Sequence, residues 1–344
     1  MRYRVLGQTG VYVSELCLGT MMFGEQTEEN EARRIIDHAR ERGVNFIDTA
    51  DQYADGRSEE ICGHAIVSER DHWVLATKVG SRMPGGPFER GLSRRYICEA
   101  VERSLKRLGT DCIDIYYMHR PDPDTRLEDS VRAMGDLVRS GKIRYFGISN
   151  FRAWQLTEIV YLCRELGAGE PVILQPYYNL MNRDPEVELI PAARRFGIGV
   201  APYSPIARGI LSGKYAPGAA PPAGSRVERG DSRVLNSEWR PESLEIAARL
   251  KAHAETRGAT LVDYAVAWVL NNVAVTSAIV GPRTFGQLES YLGTLDYAWS
   301  AEDETLANEL VPAGHPSTPG YTDPNFPVLG RFPTKGPGAE LPLL

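Results

Sequence analysis

Short apolar runs alternate with longer amphipathic runs along most of this chain, and this alternation sharply limits the folds it can adopt. Such a pattern is typical of parallel strands joined by crossover helices. We predict strands at residues 15–18, 44–47, 73–77, 113–118, 143–148, 172–174, 198–202 and 276–280. Eight parallel strands with helices between them predict an α/β fold of the (β/α)8 TIM-barrel class.

The segments between the predicted strands carry helix signals. Two of them place their apolar residues on one face, formed by Ala32, Ile35, Ile36 and Ala39 in the first and by Ile97, Ala100, Val101, Leu105 and Leu108 in the second. Gly109 is expected to end the second helix. A third helix is expected to start with a capping box between Thr125 and Glu128 and to stop at Gly141.

Composition and charge argue against nucleic-acid and membrane partners. The 344 residues have a formal net charge of −6 and no concentrated basic run, so the chain has no general attraction for polyanions. No window approaches the roughly 18 apolar residues that span a bilayer. The five scattered cysteines include no CxxC pair, which indicates buried thiols in a reducing compartment. We expect a cytoplasmic protein with one domain, residues 1–344, and an irregular tail from about residue 311.

Polar residues follow six of the predicted strands. In a barrel, the carboxyl ends of the strands meet at one rim, where active sites gather. Each polar residue alone is weak evidence, because surface polarity is normal at strand ends, but together they predict one site. These residues are Asp48, Lys78, His119, Ser149 with Asn150, Gln175, and Tyr203 with Ser204.

Four residues near this rim, Asp48, Tyr53, Lys78 and His119, can be interpreted as a proton-donating unit. A phenol has an ordinary pKa of about 10, and a nearby ammonium is expected to lower that pKa. Lys78 would supply this charge and Asp48 would hold the ammonium in place, while His119 would polarise a substrate oxygen. A buried ion pair between Asp48 and Lys78 beside a core tyrosine explains the same residues equally well.

Reduction of a carbonyl group also requires a hydride donor, which no side chain provides, so this interpretation implies a nicotinamide cofactor. The GxGxxG fingerprint and the P-loop are absent from the sequence, so the cofactor would bind in a geometry other than the Rossmann one. We expect Ser149, Asn150 and Gln175 to hydrogen-bond a carboxamide, and Tyr203 to stack on the nicotinamide ring. We expect Lys214, Gly281 and Arg283 to contact phosphate.

Two segments break the alternating pattern. Residues 205–240 are rich in Gly, Pro and Arg and are too long for a passive connection, so we expect a functional loop over the barrel mouth. The tail from Val311 is rich in Pro and Gly. A partly ordered terminus and a substrate-lining segment are both open interpretations of this tail.

Eight stretches of the chain closely resemble the aldo-keto reductase family, in the order that the family has them and over essentially the first 310 residues. They are LGTMMFG (18–24), NFIDTADQYADGRSEE (45–60), ATKVG (76–80), YYMHRPDP (116–123), GKIRYFGISNF (141–151), QPYYNL (175–180), APYSPIARGILSGKY (201–215) and IVGPRTFGQLES (279–290). The spellings APYSPIARGILSGKY and HRPDP resemble the bacterial members related to the potassium-channel β subunits.

The resemblance implies a (β/α)8 barrel with an N-terminal β-hairpin in MRYRVLGQTGVYVS, and NADPH-dependent reduction of an aldehyde or ketone. Tyr53 would be the general acid, assisted by Asp48, Lys78 and His119. The loop after residue 203 would fold over the cofactor pyrophosphate, so that its movement controls cofactor exchange. The implied cofactor contacts are Gly19, Thr20, Met21, Asp48, Ser149, Asn150, Gln175, Tyr203, Ser204, Pro205, Ile206, Ala207, Arg208, Lys214, Gly281, Arg283 and Gln287.

The sequence departs from the family pattern at one place. Ser290 and Tyr291 stand where the family commonly has Glu-Asn, which contacts the adenosine end of the cofactor. Arg283 occupies the position that usually faces the 2′-phosphate, and a guanidinium there favours NADPH over NADH.

The resemblance places substrate contacts near Phe23, Tyr53, His119 and Arg120, but these residues do not specify the substrate. Two other functions stay open. The chain would be a cofactor-sensing regulatory subunit with vestigial turnover if it follows the channel β subunits. A metal-dependent barrel hydrolase is disfavoured, because the six histidines lie far apart in the sequence.

Overall fold

The fold is built on a closed ring of eight parallel strands. The computed structural model describes residues 1–81, 86, 89–321 and 323. The strands are β3 (Leu16–Gly19), β4 (Phe46–Asp48), β5 (Val74–Val79), β6 (Ile113–Met118), β7 (Ile143–Ser149), β8 (Ile173–Gln175), β9 (Gly199–Val200) and β10 (Ala278–Val280). Their order in the sheet is β10-β3-β4-β5-β6-β7-β8-β9. Parallel bridges pair Val200 with Val275 and Tyr203 with Ile279, and so join the two ends of the sheet.

Each of the eight predicted strands overlaps one of these strands, which confirms the predicted (β/α)8 barrel. The predicted N-terminal hairpin is also confirmed. Its strands, β1 (Tyr3–Val5) and β2 (Tyr12–Ser14), pair in antiparallel fashion with Tyr3 opposite Ser14. Leu6 and Val13 of this hairpin are fully buried against the residues that fill one end of the barrel, so the hairpin closes the amino-terminal end and leaves the opposite rim open.

Helices surround the barrel. They are α1 (Glu29–Glu41), α2 (Arg57–Ile66), α3 (Arg94–Leu108), α4 (Leu127–Arg139), α5 (Ala153–Leu166), α6 (Leu189–Phe196), α7 (Ser232–Leu235), α8 (Pro241–Thr256), α9 (Leu261–Asn271), α10 (Phe285–Gly293) and α11 (Ala301–Leu310). The apolar faces predicted for α1 and α3 are buried as expected, and Gly109 ends α3 in the left-handed conformation that glycine favours. No helix in the described part of the chain is both long enough and apolar enough to cross a membrane.

The capping box predicted between Thr125 and Glu128 is wrong. The Thr125 hydroxyl donates instead to Asp122 Oδ2 at 2.6 Å, and α4 begins after Arg126, which makes no side-chain capping hydrogen bond. An aspartate three residues upstream has therefore taken the hydroxyl that would have capped the helix. The predicted stop is close, since Gly141 follows two residues after the end of α4 with φ of +72°.

The long connection between β9 and α8 is partly structured. It contains a 3₁₀ segment at Ala207–Ser212 and the short helix α7. The Arg208 side chain, 5% exposed, links the beginning of this connection to its end, because Nη1 donates to Glu238 Oε1 at 3.0 Å. The Arg208 Nη2 group also lies 3.3 Å from Asp323 Oδ2 in the tail. This arrangement ties the connection down over the carboxyl ends of the strands.

Candidate active site

A cavity of about 490 Å³ opens at the carboxyl ends of the barrel strands. Most of the predicted site residues line it. They are Gly19, Thr20, Met21, Asp48, Tyr53, His119, Arg120, Ser149, Asn150, Gln175, Tyr203, Ser204, Pro205, Ile206, Arg208, Lys214, Gly281, Arg283 and Gln287. A cavity of this size with convergent polar groups has the character of a small-molecule site.

Three predicted residues do not line the cavity. Phe23 and Ala207 are fully buried in the main apolar core, so neither side chain reaches the cavity. Lys78 is also fully buried, directly behind the cavity wall. Of the C-terminal tail, no described residue lines the cavity, and residues 324–344 lie outside the described part of the chain.

Lys78 is the centre of the predicted proton-donating unit. It lies near the end of β5, and its ammonium donates to Asp48 Oδ2 at 2.5 Å and to the Thr49 carbonyl oxygen at 2.6 Å. The same Nζ lies 3.3 Å from the Tyr53 hydroxyl, which is brought there by a 3₁₀ turn that starts at Tyr53, five residues after β4. The ammonium thus contacts both the carboxylate and the phenol.

Burial and charge act in opposite directions within this unit. Burial raises the pKa of Tyr53, and the Lys78 ammonium only partly opposes that effect. The sequence-based expectation of a lowered tyrosine pKa is therefore wrong in its net direction, because it left out desolvation. Burial lowers the pKa of Lys78, but the Asp48 carboxylate and Tyr53 outweigh it, so the net pKa of Lys78 is raised. Tyr53 is thus a neutral phenol beside a retained ammonium.

His119 follows β6 and faces Tyr53. The two ring centroids are 6.1 Å apart and nearly perpendicular, and His119 Nδ1 lies 3.1 Å from the Ser81 hydroxyl. Burial, together with the positive charges of Lys78, Arg120 and Arg233, holds the pKa of His119 well below its usual range. The imidazole is therefore neutral at physiological pH. Among the described residues, no three His, Cys, Asp or Glu side chains lie close enough to share a metal ion.

A hydrogen-bonded group of amides and hydroxyls forms the neighbouring wall of the cavity. Gln175 Nε2 donates to Asp48 Oδ1 at 2.9 Å, and the Tyr203 hydroxyl donates to Asn150 Oδ1 at 2.8 Å. Asn150 Nδ2 donates to the His119 carbonyl oxygen at 2.9 Å. Asn150 also has a φ of +64°, a conformation uncommon outside glycine. These bonds join the amide wall to the proton-donating unit.

The cavity is also rich in cations. Lys214, Arg226, Arg229 and Arg283 line it. The guanidinium groups of Arg229 and Arg283 both donate to Gln26 Oε1, at 3.1 Å and 3.4 Å. Ser290 and Tyr291, which replace the family's common Glu-Asn pair, line the same cavity. A concentration of cations in a cleft attracts anionic ligands.

Several cavity residues were missed by the sequence analysis. The main ones are Gln26, Gln52, Ser81, Arg226, Arg229 and Arg233. The arginine content of the segment 205–240 is a signal for these three arginines. Composition alone does not show which arginines of the segment face the cavity. Ser81 follows the strand predicted at residues 73–77 by only a few residues, so the rule that polar residues after a strand lie at the rim, which predicts Lys78, also applies to Ser81.

Comparison with known proteins agrees with the resemblance seen in the motifs. The model of the aldo/keto reductase family matches residues 15–311. A protein named probable voltage-gated potassium channel subunit beta from Arabidopsis thaliana is 38% identical over 301 residues, which are 86% of this chain and 92% of that protein. A protein of the same name from Oryza sativa subsp. japonica is 37% identical, with the same coverage of both chains.

A third relative is named as an enzyme. The uncharacterized oxidoreductase YrpG of Bacillus subtilis (strain 168) is 36% identical over 330 residues, which are 93% of this chain and 98% of that protein. The family and this relative support an oxidoreductase function. With the barrel and a family match over most of its length, the chain belongs to the aldo/keto reductase family.

Proposed function

We propose that this protein reduces an aldehyde or ketone to the alcohol with NADPH, reversibly, and that Tyr53 donates the proton. The observation that carries the proposal is the contact of one buried ammonium, Lys78 Nζ, with both Asp48 Oδ2 at 2.5 Å and the Tyr53 hydroxyl at 3.3 Å, beside the cavity. A buried ion pair beside a core tyrosine would not require that tyrosine to line a cavity, whereas Tyr53 does line it.

The proton-donating unit suits general acid catalysis. Because burial raises the pKa of Tyr53, the phenol carries its proton before reaction. As the proton moves to the substrate oxygen, negative charge develops on Tyr53, and the Lys78 ammonium stabilises that charge in a low-dielectric site. Asp48 positions the ammonium and keeps it charged. The attraction between Lys78 and Tyr53 is therefore stronger in the transition state of proton transfer than in the ground state, and this difference accelerates the transfer.

His119 has a complementary role in this proposal. It is neutral, because burial and nearby cations lower its pKa. Nδ1 and the Ser81 hydroxyl are hydrogen-bonded at 3.1 Å. In the tautomer in which Nδ1 accepts this hydrogen bond, Nε2 carries the ring proton and would donate a hydrogen bond to the carbonyl oxygen of the substrate. Tyr53 and His119 would then fix that oxygen from two sides.

The cavity residues fit a nicotinamide dinucleotide. When bound, its reduced nicotinamide supplies the hydride that no side chain can. Ser149, Asn150 and Gln175 provide hydroxyl and amide groups for the carboxamide, and Tyr203 provides an aromatic face for the ring. Ser204 and Arg208 have φ of +57° and +51°, and such strained backbone is typical of ligand-binding segments.

The positive charge of the cavity supports NADPH rather than NADH. Arg226, Arg229 and Arg283 line the cavity, and a guanidinium binds a phosphate dianion through paired hydrogen bonds. The additional 2′-phosphate of NADPH would use these cations. We expect Arg283→Ala to weaken binding of NADPH much more than binding of NADH.

The decisive experiment compares Tyr53→Phe with the wild type in NADPH consumption over a panel of aldehydes, ketones and sugars. The variant should lose a factor of roughly 10² to 10⁴ in kcat and keep its affinity for NADPH. Tyr116→Phe is the matched control, because the buried Tyr116 hydroxyl has no hydrogen-bond partner in the part of the chain that is described. Normal turnover by Tyr53→Phe would refute the assignment of the proton donor.

A cofactor-sensing regulatory subunit is the second candidate function. It is favoured by the names of the two plant relatives, which are described as potassium channel β subunits. In that case the wild type would bind NADPH tightly, would turn over negligibly with every carbonyl compound, and would associate with a specific partner protein. The contacts of Lys78 with Asp48 and Tyr53 favour the reductase, because a protein that only senses the cofactor has no need of a proton donor.

A further inference from the structure

Two arginines at the reacting end of the cavity have no acidic partner among the described residues. Arg120 follows His119 at the end of β6, and Arg233 comes from α7 in the long connection that covers the barrel mouth. Both line the cavity. The Nη1 group of Arg233 lies 3.8 Å from Met21 Sδ. Neither guanidinium lies within 4.0 Å of a carboxylate in the described part of the chain.

Two other cavity arginines, Arg208 and Arg226, differ in this respect. The Arg208 guanidinium pairs with Glu238 at 3.0 Å and Asp323 at 3.3 Å, and Arg226 pairs with Asp231 at 2.9 Å. Their charges are at least partly neutralised by the protein itself. Arg120 and Arg233 therefore leave a net positive potential at the place where the substrate must enter.

The positive potential reaches the proton-donating unit. After burial and Lys78, Arg120 and Arg233 are the next causes of the lowered pKa of His119. Arg233 also acts on Tyr53 and on Tyr203. Both guanidinium groups are thus within electrostatic range of the groups that would contact the carbonyl oxygen.

We infer that the substrate is an anionic carbonyl compound whose carboxylate or phosphate group is bound by Arg120 and Arg233. This inference rests on the proposed reductase function and specifies its substrate class. A guanidinium presents a planar fork of donors that matches both anions, and the hydrogen bonds are strengthened by charge. The anion would lie beside His119, on which both guanidinium groups act.

The cations of the cavity would then divide between two ligands. Lys214, Arg226, Arg229 and Arg283 would meet the phosphates of the cofactor. Arg120 and Arg233, which both act on His119, would meet the charged group of the substrate. The alternative use of Arg233, in binding the pyrophosphate, predicts a different response to mutation and is resolved by the same experiment.

The experiment measures kcat/KM with NADPH for two matched pairs of aldehydes, at low and high salt. The first pair is 4-oxobutanoate and its methyl ester, which differ in a carboxylate. The second pair is glyceraldehyde 3-phosphate and glyceraldehyde, which differ in a phosphate. We expect at least one anion to be preferred over its neutral partner by about tenfold or more, since a charge-assisted hydrogen bond supplies free energy of that order. Salt should reduce the preference.

Arg120→Gln and Arg233→Gln test the assignment. Each should reduce the ratio of anionic to neutral kcat/KM by about tenfold, mainly through KM. Arg249→Gln is the control, because Arg249 is exposed on α8 and does not line the cavity, and it should leave the ratio unchanged. A parallel fluorescence titration gives the Kd of NADPH for each variant.

The outcomes separate the inference from the function on which it rests. Turnover of the neutral aldehydes with no preference for either anion would overturn the inference and leave the reductase in place. A weakened NADPH Kd in Arg233→Gln, with the substrate ratio unchanged, would assign Arg233 to the cofactor and also overturn it. Absence of turnover with all four aldehydes and with the broad carbonyl panel would overturn the proposed function itself.

Discussion

Replacing Asp51 with asparagine is expected to stabilise the protein, and to do so increasingly as the pH rises. Asp51 lies in the turn between β4 and Tyr53 and is 1% exposed, yet neither carboxyl oxygen accepts a hydrogen bond of ordinary geometry in the described part of the chain. The nearby Arg107 is committed elsewhere, because its Nε donates to the buried Glu59 at 2.6 Å. Burial first, and then the Glu59 charge, raise the pKa of Asp51 to about 8.

The size of the effect follows from the two pKa values. The unfolded chain releases the Asp51 proton near its ordinary pKa of 3.8, whereas the folded protein holds it up to about pH 8. Between these values the folded state binds more protons, so raising the pH lowers the free energy of unfolding. The loss is about 1.4 kcal/mol per pH unit, or about 4 kcal/mol at pH 7. Above about pH 8 the loss stops growing.

Asparagine occupies nearly the same volume and has no proton to release. The difference in unfolding free energy between Asp51→Asn and the wild type should therefore rise by about 3 kcal/mol from about pH 5.5 to pH 8. Denaturant unfolding at a series of pH values measures this difference, in which the titration of all other groups cancels. Asp55→Asn, at an exposed position in the same turn, is the control variant. A difference for Asp51→Asn that does not change with pH would refute the argument from burial.

Three further predictions follow from the site and the barrel. Lys78→Met should abolish turnover and lower the free energy of unfolding by about 3 kcal/mol, measured by denaturant unfolding, because it leaves a buried carboxylate without its partner; unchanged stability would contradict that pairing. Gly19→Ala should destabilise the protein by about 1–3 kcal/mol, since the new Cβ would lie 2.8 Å from Ile279 Cγ2, whereas Gly286→Ala, which meets nothing within 4 Å, should not. Because His119 stays neutral, kcat/KM should show no loss near the ordinary histidine pKa between about pH 6 and pH 8. A fall in kcat/KM over this pH range that disappears in His119→Gln would disprove this.

The barrel could be predicted because six of its eight strands leave two independent marks in the sequence. Ile113–Met118, for example, is an apolar run that fits a strand buried in a parallel sheet, and the polar His119 follows it directly. Lys78, Gln175 and Asn150 are predicted in the same way, because a polar side chain at the carboxyl end of a buried strand lies at the rim of the barrel. Local pattern and global topology agree at these positions, and the prediction succeeds for that reason.

The parts that could not be predicted depend on contacts that the pattern of apolar and polar residues does not show. Thr125 carries a good capping signal, but Asp122 takes its hydroxyl. Arg208 and Arg233 belong to the same loop, and only the fold shows that the first is paired with Glu238 while the second faces the cavity without an acid partner in the described residues. The net direction of the Tyr53 pKa depends on burial, which a list of neighbouring charges does not include.

The central claim is that a nicotinamide and the Tyr53 hydroxyl face the same reacting carbonyl group. A crystal structure of the complex with NADP⁺ tests it most directly. We expect the nicotinamide ring to stack on Tyr203 with its reactive carbon close enough to Tyr53 for one carbonyl group to bridge them, about 3 Å from each side. A cofactor bound elsewhere, or a ring turned away from Tyr53 and His119, would contradict the claim.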